Sequence, residues 1–401
     1  MITIIKECNV YAPEKLGIKD VVLAGGKIEG IYDNIDLNSQ TIEYEVINGK
    51  DKILFPGFID CHVHVMGGGG EGGFSTRIPE MQISELTKAG ITTVVGCIGT
   101  DGICRDMKSL IAKIKGLKED GISAYAYTGS YEVPVITLTD SIKSDLMVIE
   151  EIIGVGEIAL SDHRSSQPSF NEFANVVAQS RVGGLLSSKC GIVNIHLGDG
   201  KRKLEYLFDL IDKTEIPATQ ILPTHINRNN KLFKDGLDYV QRGGYIDLTT
   251  SCDLEHMENG ELRAADGLKE FINKKLSIEH ITFSSDGNGS MPRFDQSGHL
   301  DGVGICSVST LYREVKHAIK ENKIPIDVAI KVITSNVAQI LKLKNKGTIE
   351  CGKDADLVIV DKESLDIEMV FAKGQKMVAN KEVLVKGTFE WYKLKIEIKA
   401  I

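Results

Sequence analysis

Eight short apolar runs constrain most strongly how this chain can fold. They lie at 53–66, 91–99, 122–129, 152–160, 191–197, 221–225, 244–250 and 278–285. Amphipathic stretches with helical spacing stand between most of them, at 106–119, 170–180, 203–213, 233–242 and 264–274, and another at 308–321 follows the last run. Apolar strands alternating with helices make a parallel sheet covered on both faces. Eight such units within roughly 290 residues predict an α/β fold, a (β/α)8 TIM-like barrel. An open doubly wound sheet is the other arrangement of the same units. The count of eight favours the barrel.

The two flanks read differently. Residues 2–50 hold short β-like runs with turns: Thr3-Ile4-Ile5, Val21-Val22-Leu23-Ala24 before Gly25-Gly26, Lys27-Ile28, and Ile42-Glu43-Tyr44-Glu45-Val46-Ile47. The C-terminal part has the same texture, in Asp356-Leu357-Val358-Ile359-Val360, Ile367-Glu368-Met369-Val370, Lys376-Met377-Val378 and Trp391-Tyr392-Lys393-Leu394-Lys395-Ile396. Neither flank carries enough apolar surface for a stable sheet alone. The expectation is one small β-domain built from both termini, 1–56 plus 349–401, around a catalytic barrel of 57–348.

In such a barrel the chemistry sits at the C-terminal ends of the strands. The first strand carries Phe58-Ile59-Asp60-Cys61-His62-Val63-His64, and the glycine run Gly67 to Gly70 follows. Side chains two apart on a strand share a face. His62 and His64 therefore present two imidazoles to one point, which suits a divalent metal. For H-x-H by itself, a pair of half-buried strand histidines is the plainer reading. The other strand ends add to it. The third ends in Gly129-Ser130-Tyr131, and the fourth contains Glu157 and runs on into Ser161-Asp162-His163-Arg164. The fifth ends in Asn194-Ile195-His196, the sixth in Pro223-Thr224-His225-Ile226-Asn227-Arg228, and the eighth in Ser284-Ser285-Asp286-Gly287-Asn288-Gly289-Ser290.

Any one of these residues is more often structural. Four histidines, a glutamate and an aspartate at one barrel mouth point to a centre for two divalent first-row metals, zinc first among them. Cations ~3.5–4 Å apart need a carboxylate between them. Glu157 is the acidic residue inside the apolar fourth strand, and a buried carboxylate needs a cationic partner. The reading gives His62, His64 and Asp286 to one metal and His196 and His225 to the other, with Glu157 across both. His256, His280, His299 and His317 lack a partner pattern and read as surface or core residues. His163, in a loop after Asp162, stands in reserve around the site.

Composition narrows the partners. A formal net charge of -9 without a long Lys/Arg run argues against a nucleic-acid surface. No apolar run approaches the ~20 residues of a membrane helix. The start, Met1-Ile2-Thr3-Ile4-Ile5-Lys6, lacks the basic opening and long apolar core of a signal peptide. Eight scattered cysteines without a C-x-x-C pair read as reduced, buried thiols of a cytoplasmic protein.

Several of these strings together resemble a known family. Pro56-Gly57-Phe58-Ile59-Asp60-x-His62-x-His64, the later single histidines, the Ser-Asp-Gly around Asp286 and Gly352-Lys353-Asp354-Ala355-Asp356-Leu357-Val358 are similar to the amidohydrolase superfamily along the length of the chain. Within it, Gly67-Gly68-Gly69-Gly70-Glu71, Ser161-Asp162-His163-Arg164-Ser165, Pro223-Thr224-His225-x-Asn227-Arg228 and the segment from Ser284 to Ser290 resemble the isoaspartyl (β-aspartyl) dipeptidases. The resemblance implies hydrolysis of a small-molecule substrate, a β-aspartyl dipeptide. Two cations would share a water and lower its pKa toward neutrality. Asp286 would take the proton and pass it to the leaving amine. Tyr131 would donate a hydrogen bond to the oxyanion, a contribution of ~3 kcal/mol. Arg164 and Arg228 would grip the substrate carboxylates with planar forks. Glu71, in its glycine-rich loop, would hold the ammonium with the Gly69 carbonyl, and Thr100 and Ser290 would line the site. Taken alone, the arginines read equally as solvated loop charges, and Tyr131 as a packed strand-end residue. Relatives of this kind are oligomeric, so a homo-oligomer is expected.

The chain departs from the dipeptidase pattern at one place. Several of these enzymes carry a lysine, carboxylated by CO2, seven residues before the arginine that matches Arg164; this chain has Glu157 there. Glutamate is a shorter carboxylate of the same charge, and other branches of the superfamily use it as the bridge.

Two alternatives remain from the sequence. A cyclic-amide hydrolase or N-acyl amino-acid deacetylase of the same superfamily would share the metal centre without needing Glu71 and paired arginines. A catalytically silent protein on the same scaffold would be expected to have lost His196, His225 or Asp286, and all three are present.

Overall fold

The computed structural model describes residues 2–36, 43–252, 260–294 and 300–390. The eight apolar runs become strands Phe58–Val63, Ile91–Gly96, Ser123–Thr128, Ile152–Leu160, Ile192–Leu197, Ile221–Thr224, Ile246–Thr249 and Ile281–Ser284. The first six pair in parallel in chain order, and the seventh and eighth pair in parallel with each other. A parallel bridge joins Val63 to Gly287, just beyond the eighth strand. This is a TIM-like barrel.

The intervening helices begin where the sequence supplies acceptors for their first free N–H groups. Asp106 accepts from Ser109 at the start of Met107–Glu119, and Asn229 accepts from Leu232 at the start of Asn230–Gln241. Ser169 and Glu172 form a reciprocal capping box on Phe170–Ser187. Strand side chains divide by face. Ile59, Cys61, Val95, Tyr127, Ile153 and Leu222 fill the barrel interior, with Val337 and Leu341. Phe58, Val94, Val155 and Ile195 face outward against helix residues such as Leu110, Ile114 and Phe173.

The flanks meet in one sheet of nine strands. Lys52–Pro56 runs antiparallel to Leu357–Asp361, with Leu54 opposite Ile359, and so joins the early strands to the late ones. One face buries Ile5, Val10, Leu23, Leu54, Leu357 and Phe371 together. Ile53, Phe55, Val358 and Val360 instead belong to the large core shared with the barrel.

The run at 53–66, expected as a single strand, is two strands in two sheets. The break is at Gly57, whose N–H donates to the Asp356 carbonyl at 2.7 Å. A Cβ there would lie 2.2 Å from Thr92 Oγ1, so the crossing admits only a glycine. The helix expected at 170–180 continues to Ser187, where Gly183 and Gly184 pass close to Leu146 and Gly191. A hairpin of Ser290–Phe294 and Leu300–Ile305 follows the eighth strand and was not anticipated. The strand expected at 391–396, together with His256 and His299, lies outside the described residues.

Candidate metal centre and active site

His62, Glu157, His196 and His225 converge at the barrel mouth and are buried, as is His64 just past the first strand. His62 Nε2 stands 3.2 Å from Glu157 Oε2 and 3.5 Å from Asp286 Oδ1. His64 Nε2 stands 3.3 Å from Glu157 Oε1 and 3.0 Å from Asp286 Oδ1. On the other side, His196 Nδ1 lies 3.2 Å from Glu157 Oε2 and 3.0 Å from His225 Nε2. Donor atoms of Glu157, His196 and His225 fall within 4.8 Å of one another, and so do those of His62, His64, Cys97 and Glu157. Glu157 belongs to both groups.

The donor set fits metal ions, and one observation tests that fit. Among the described residues, the buried His62 Nδ1 and Nε2 and Glu157 Oε1 have no hydrogen-bond partner. Buried polar atoms left in that condition are costly and rare. A cation facing one imidazole nitrogen and the carboxylate together removes most of the deficit, leaving the other ring nitrogen of His62 as it is. The space is kept open as well: a Cβ on Gly99 would sit 2.8 Å from His64 Cε1 and 3.3 Å from Glu157 Oε1.

Neighbours orient the ligand candidates. His225 ends the sixth strand with φ of 61°, and its Nδ1 lies 2.6 Å from Thr249 Oγ1. Asp247 accepts from Thr224 and Thr282, both at 2.7 Å, which ties the sixth, seventh and eighth strands beneath the site. Gly156 adopts φ of 146°, and a Cβ there would lie 2.8 Å from the Asn194 carbonyl oxygen, so glycine lets the fourth strand approach the fifth beside Glu157.

The charges are mutually adjusted. Burial disfavours the Glu157 carboxylate, but His62 and His196 outweigh it and hold the group well below the usual range. Burial also opposes charge on His62, yet Cys97 and Glu157 raise that imidazole well above its ordinary value. Burial and the neighbouring His196 push His225 well below its own. Tyr131 is raised well above the ordinary phenol, by burial and by Glu157. Among the thiols, burial lifts Cys8 to about 12 and Cys190 to about 11. At Cys97 burial acts in the same sense, but the charges of His62 and His64 prevail and the thiol is lowered.

Above the donor set opens a cavity of about 440 Å³. Of the residues singled out from the sequence, His64, Gly69, Glu71, Thr100, Tyr131, Arg164, His196, Arg228, Asp286 and Ser290 line it. His62, Glu157 and His225 lie deeper. Glu71 accepts from Thr100 Oγ1 at 3.1 Å and from Ser290 Oγ at 3.3 Å. Tyr131 Oη lies 2.9 Å from His196 Nδ1.

Arg164 differs from the reading that gave its whole fork to a ligand. Asp162 already takes Nε at 3.0 Å and Nη2 at 2.8 Å, while Nη1 faces Glu71 at 3.6 Å. Asp162 Oδ2 also reaches His196 Nε2 at 3.0 Å. This carboxylate therefore couples the arginine to a ligand candidate, a role that its place in the Ser-Asp-His-Arg string did not reveal. His163 lines the cavity, whereas His280 Nδ1 bonds the Gly244 carbonyl away from it. Cys97 was missed too. It directly follows the second strand, so the strand-end rule applied to histidines and acids would have found it. All eight cysteines are unpaired.

Known proteins resemble this chain. The chain matches the Amidohydrolase family over residues 53–389. A solved β-aspartyl dipeptidase from the thermophilic, keratin-degrading Fervidobacterium islandicum AW-1, in complex with β-Asp-Leu dipeptide, is 45% identical. It superposes with a TM-score of 0.90, covering 96% of this chain and 97% of that one. Dihydropyrimidinase from Brevibacillus agri NCHU1002, at 17% identity and a TM-score of 0.64 over 96% of this chain and 97% of its own, shares the fold. A dihydroorotase from Fusobacterium nucleatum is 21% identical over 90% of this chain and 89% of its own length. On these grounds the chain belongs to the amidohydrolase family, and within it the chain resembles the β-aspartyl dipeptidases.

Proposed function

We propose that this protein hydrolyses β-aspartyl (isoaspartyl) dipeptides at a centre of two divalent metals, zinc by its donor chemistry. One observation carries the reading: a cavity floored by the His/Glu cluster also presents a carboxylate, Glu71, and two arginines, Arg164 and Arg228. An isoaspartyl dipeptide offers the matching ammonium and two carboxylates. The relative solved with β-Asp-Leu supports the same substrate class.

His62, His64 and Asp286 would hold one metal and His196 and His225 the other, with Glu157 shared by both. Bound metals supply a water of lowered pKa and polarise the scissile carbonyl. Asp286 would accept a proton from the attacking water and return it to the leaving amine. Tyr131, kept protonated by burial and the Glu157 charge, donates to the oxyanion. Glu71, steadied by Thr100 and Ser290, takes the ammonium with the Gly69 carbonyl. Arg228 and the Nη1 edge of Arg164 take the carboxylates.

The same reading extends to organisation. The nine-stranded sheet supports a small β-domain of 1–56 plus 349–401 against a barrel of 57–348. Exposed Met147, Val148, Val182, Leu185 and Leu186, on two packed helices, support a homo-oligomer. Unpaired cysteines support a cytoplasmic location. No helix among the described residues is long and apolar enough to cross a membrane.

The test compares β-Asp-Leu with α-Asp-Leu on zinc-loaded protein. The α-linked isomer presents its charges in another order along the chain and leaves buried groups unpaired, which sites of this kind reject by ~10⁴ or more. A strong preference for the β-linked isomer is expected. Equal rates on both isomers, or faster turnover of dihydroorotate or hydantoin, would sink the assignment.

A further inference from the structure

Cys97 directly follows the second strand and is 1% exposed. Its N–H donates to the Val63 carbonyl at 3.0 Å, which fixes it beside the chain that carries His62 and His64. Its Sγ lies 3.9 Å from His64 Nδ1. His64 Nε2 faces the Glu157 carboxylate at 3.3 Å. One donor atom each from His62, His64, Cys97 and Glu157 can be chosen so that all four fall within 4.8 Å of one another. Around a tetrahedral zinc, with nitrogen at ~2.0–2.1 Å and sulfur at ~2.3 Å, neighbouring donors stand about 3.3–3.6 Å apart. The 4.8 Å limit is wider than that spacing, and the 3.9 Å from Sγ to His64 Nδ1 comes nearer to it.

A second observation, independent of the cysteine, says that this cluster faces a cation. Both ring nitrogens of the fully buried His62, and Oε1 of the fully buried Glu157, lack hydrogen-bond partners. The chemistry of the bridge gives a reason for sulfur here. Glu157 Oε2 lies 3.2 Å both from His62 Nε2 and from His196 Nδ1, so this one oxygen faces both groups of histidines. A thiolate just past the neighbouring strand adds an anionic donor on the His62–His64 side beside Glu157 and Asp286, and thiolates are preferred zinc ligands.

We propose that Cys97 supplies a further, thiolate ligand to the metal that the proposed function gives to His62, His64, Asp286 and Glu157, making this a mixed sulfur, nitrogen and oxygen centre. The S–H proton is released to solvent as the metal–sulfur bond forms. The inference rests on the binuclear metal reading, and the experiment separates the two. Elemental analysis of the zinc-loaded protein comes first; an absence of bound zinc would overturn the metal reading itself. With zinc bound, X-ray absorption at the zinc edge should reveal a sulfur scatterer at ~2.3 Å, averaging one half per zinc if both sites are filled, beside nitrogen and oxygen at ~2.0–2.1 Å. The cobalt(II) form should show a sulfur-to-metal charge-transfer band in the near ultraviolet, and Cys97→Ser should abolish it. Nitrogen and oxygen scatterers alone, with no such band, would overturn the thiolate and leave Cys97 as a hydrogen-bond partner of His64 Nδ1. The wild-type spectra decide the matter even if Cys97→Ser fails to fold.

Discussion

Glu157 faces both groups of histidines, and its chemistry sets what the centre needs in order to assemble. A carboxylated lysine forms only when CO2 adds to the amine; a glutamate is ready as soon as the chain has folded. Activity should therefore be indifferent to added bicarbonate. Glu157→Ala should lose bound metal and nearly all turnover, and Glu157→Asp, one methylene shorter, should keep little of either. Metal analysis beside the assay checks this, and full activity in Glu157→Ala would mean that another group bridges. Arg228 is a cleaner probe of substrate recognition than Arg164, because two nitrogens of Arg164 are already held by Asp162. Arg228 gives its Nε to the Leu197 carbonyl and lines the cavity. Arg228→Met should lower kcat/KM for β-Asp-Leu by ~10²-fold or more, the scale of truncating a buried charge partner, with metal content unchanged.

At the scale of elements, the glycine loop that presents Glu71 is held from outside. Arg105, itself buried, donates to the carbonyls of Met66, Gly68, Gly69 and Ile78 at 3.3, 2.8, 3.1 and 3.2 Å. The loop's own glycines provide close approach but little rigidity, so this guanidinium helps set its path together with the backbone bonds from Gly68 to Asn288 and from Ile78 to Gly68. Arg105→Met should leave the metals bound and lower kcat/KM by ~10²-fold, as expected when a binding group shifts by about 1 Å; steady-state kinetics with metal analysis checks it. Such a clamp is invisible in sequence. Elements announced by side-chain pattern were legible: the strand Ile152–Leu160 has the bounds its apolar run implies, and His62 with His64 follow from period two. What escaped was set by contacts between distant segments. The crossing at Gly57 depends on Thr92 and Asp356, the role of Asp162 on His196, and the place of Cys97 on the first strand beside it. Each involves a residue type with an ordinary local explanation, and only the third dimension overrides it.

At the scale of the whole molecule, metal binding and folding share free energy. The unpartnered atoms of His62 and Glu157 are a local cost without a cation. Ligands that bind only the folded state stabilise it in proportion to the logarithm of their concentration, by ~4 kcal/mol at a thousandfold excess over Kd. Thermal unfolding of protein stripped by a chelator should come at clearly lower temperature, and zinc should restore it at close to two equivalents per chain. Calorimetry against zinc concentration measures this, and a transition that ignores zinc would contradict it.

The pairing of Leu54 with Ile359 has a consequence in time as well as in space. On a ribosome the strand Lys52–Pro56 emerges early, and its antiparallel partner Leu357–Asp361 is made only after roughly 300 further residues, a loop whose closure must precede any reward from the contact. For the duration of that synthesis the inner edge of the early strands has nothing to pair with, and an open edge is a template for other chains. The barrel, assembled from neighbours in sequence, can form while the sheet waits. The strand Leu357–Asp361 then acts as a clasp, and cells making this protein quickly would depend on helpers that shield nascent strands until it closes.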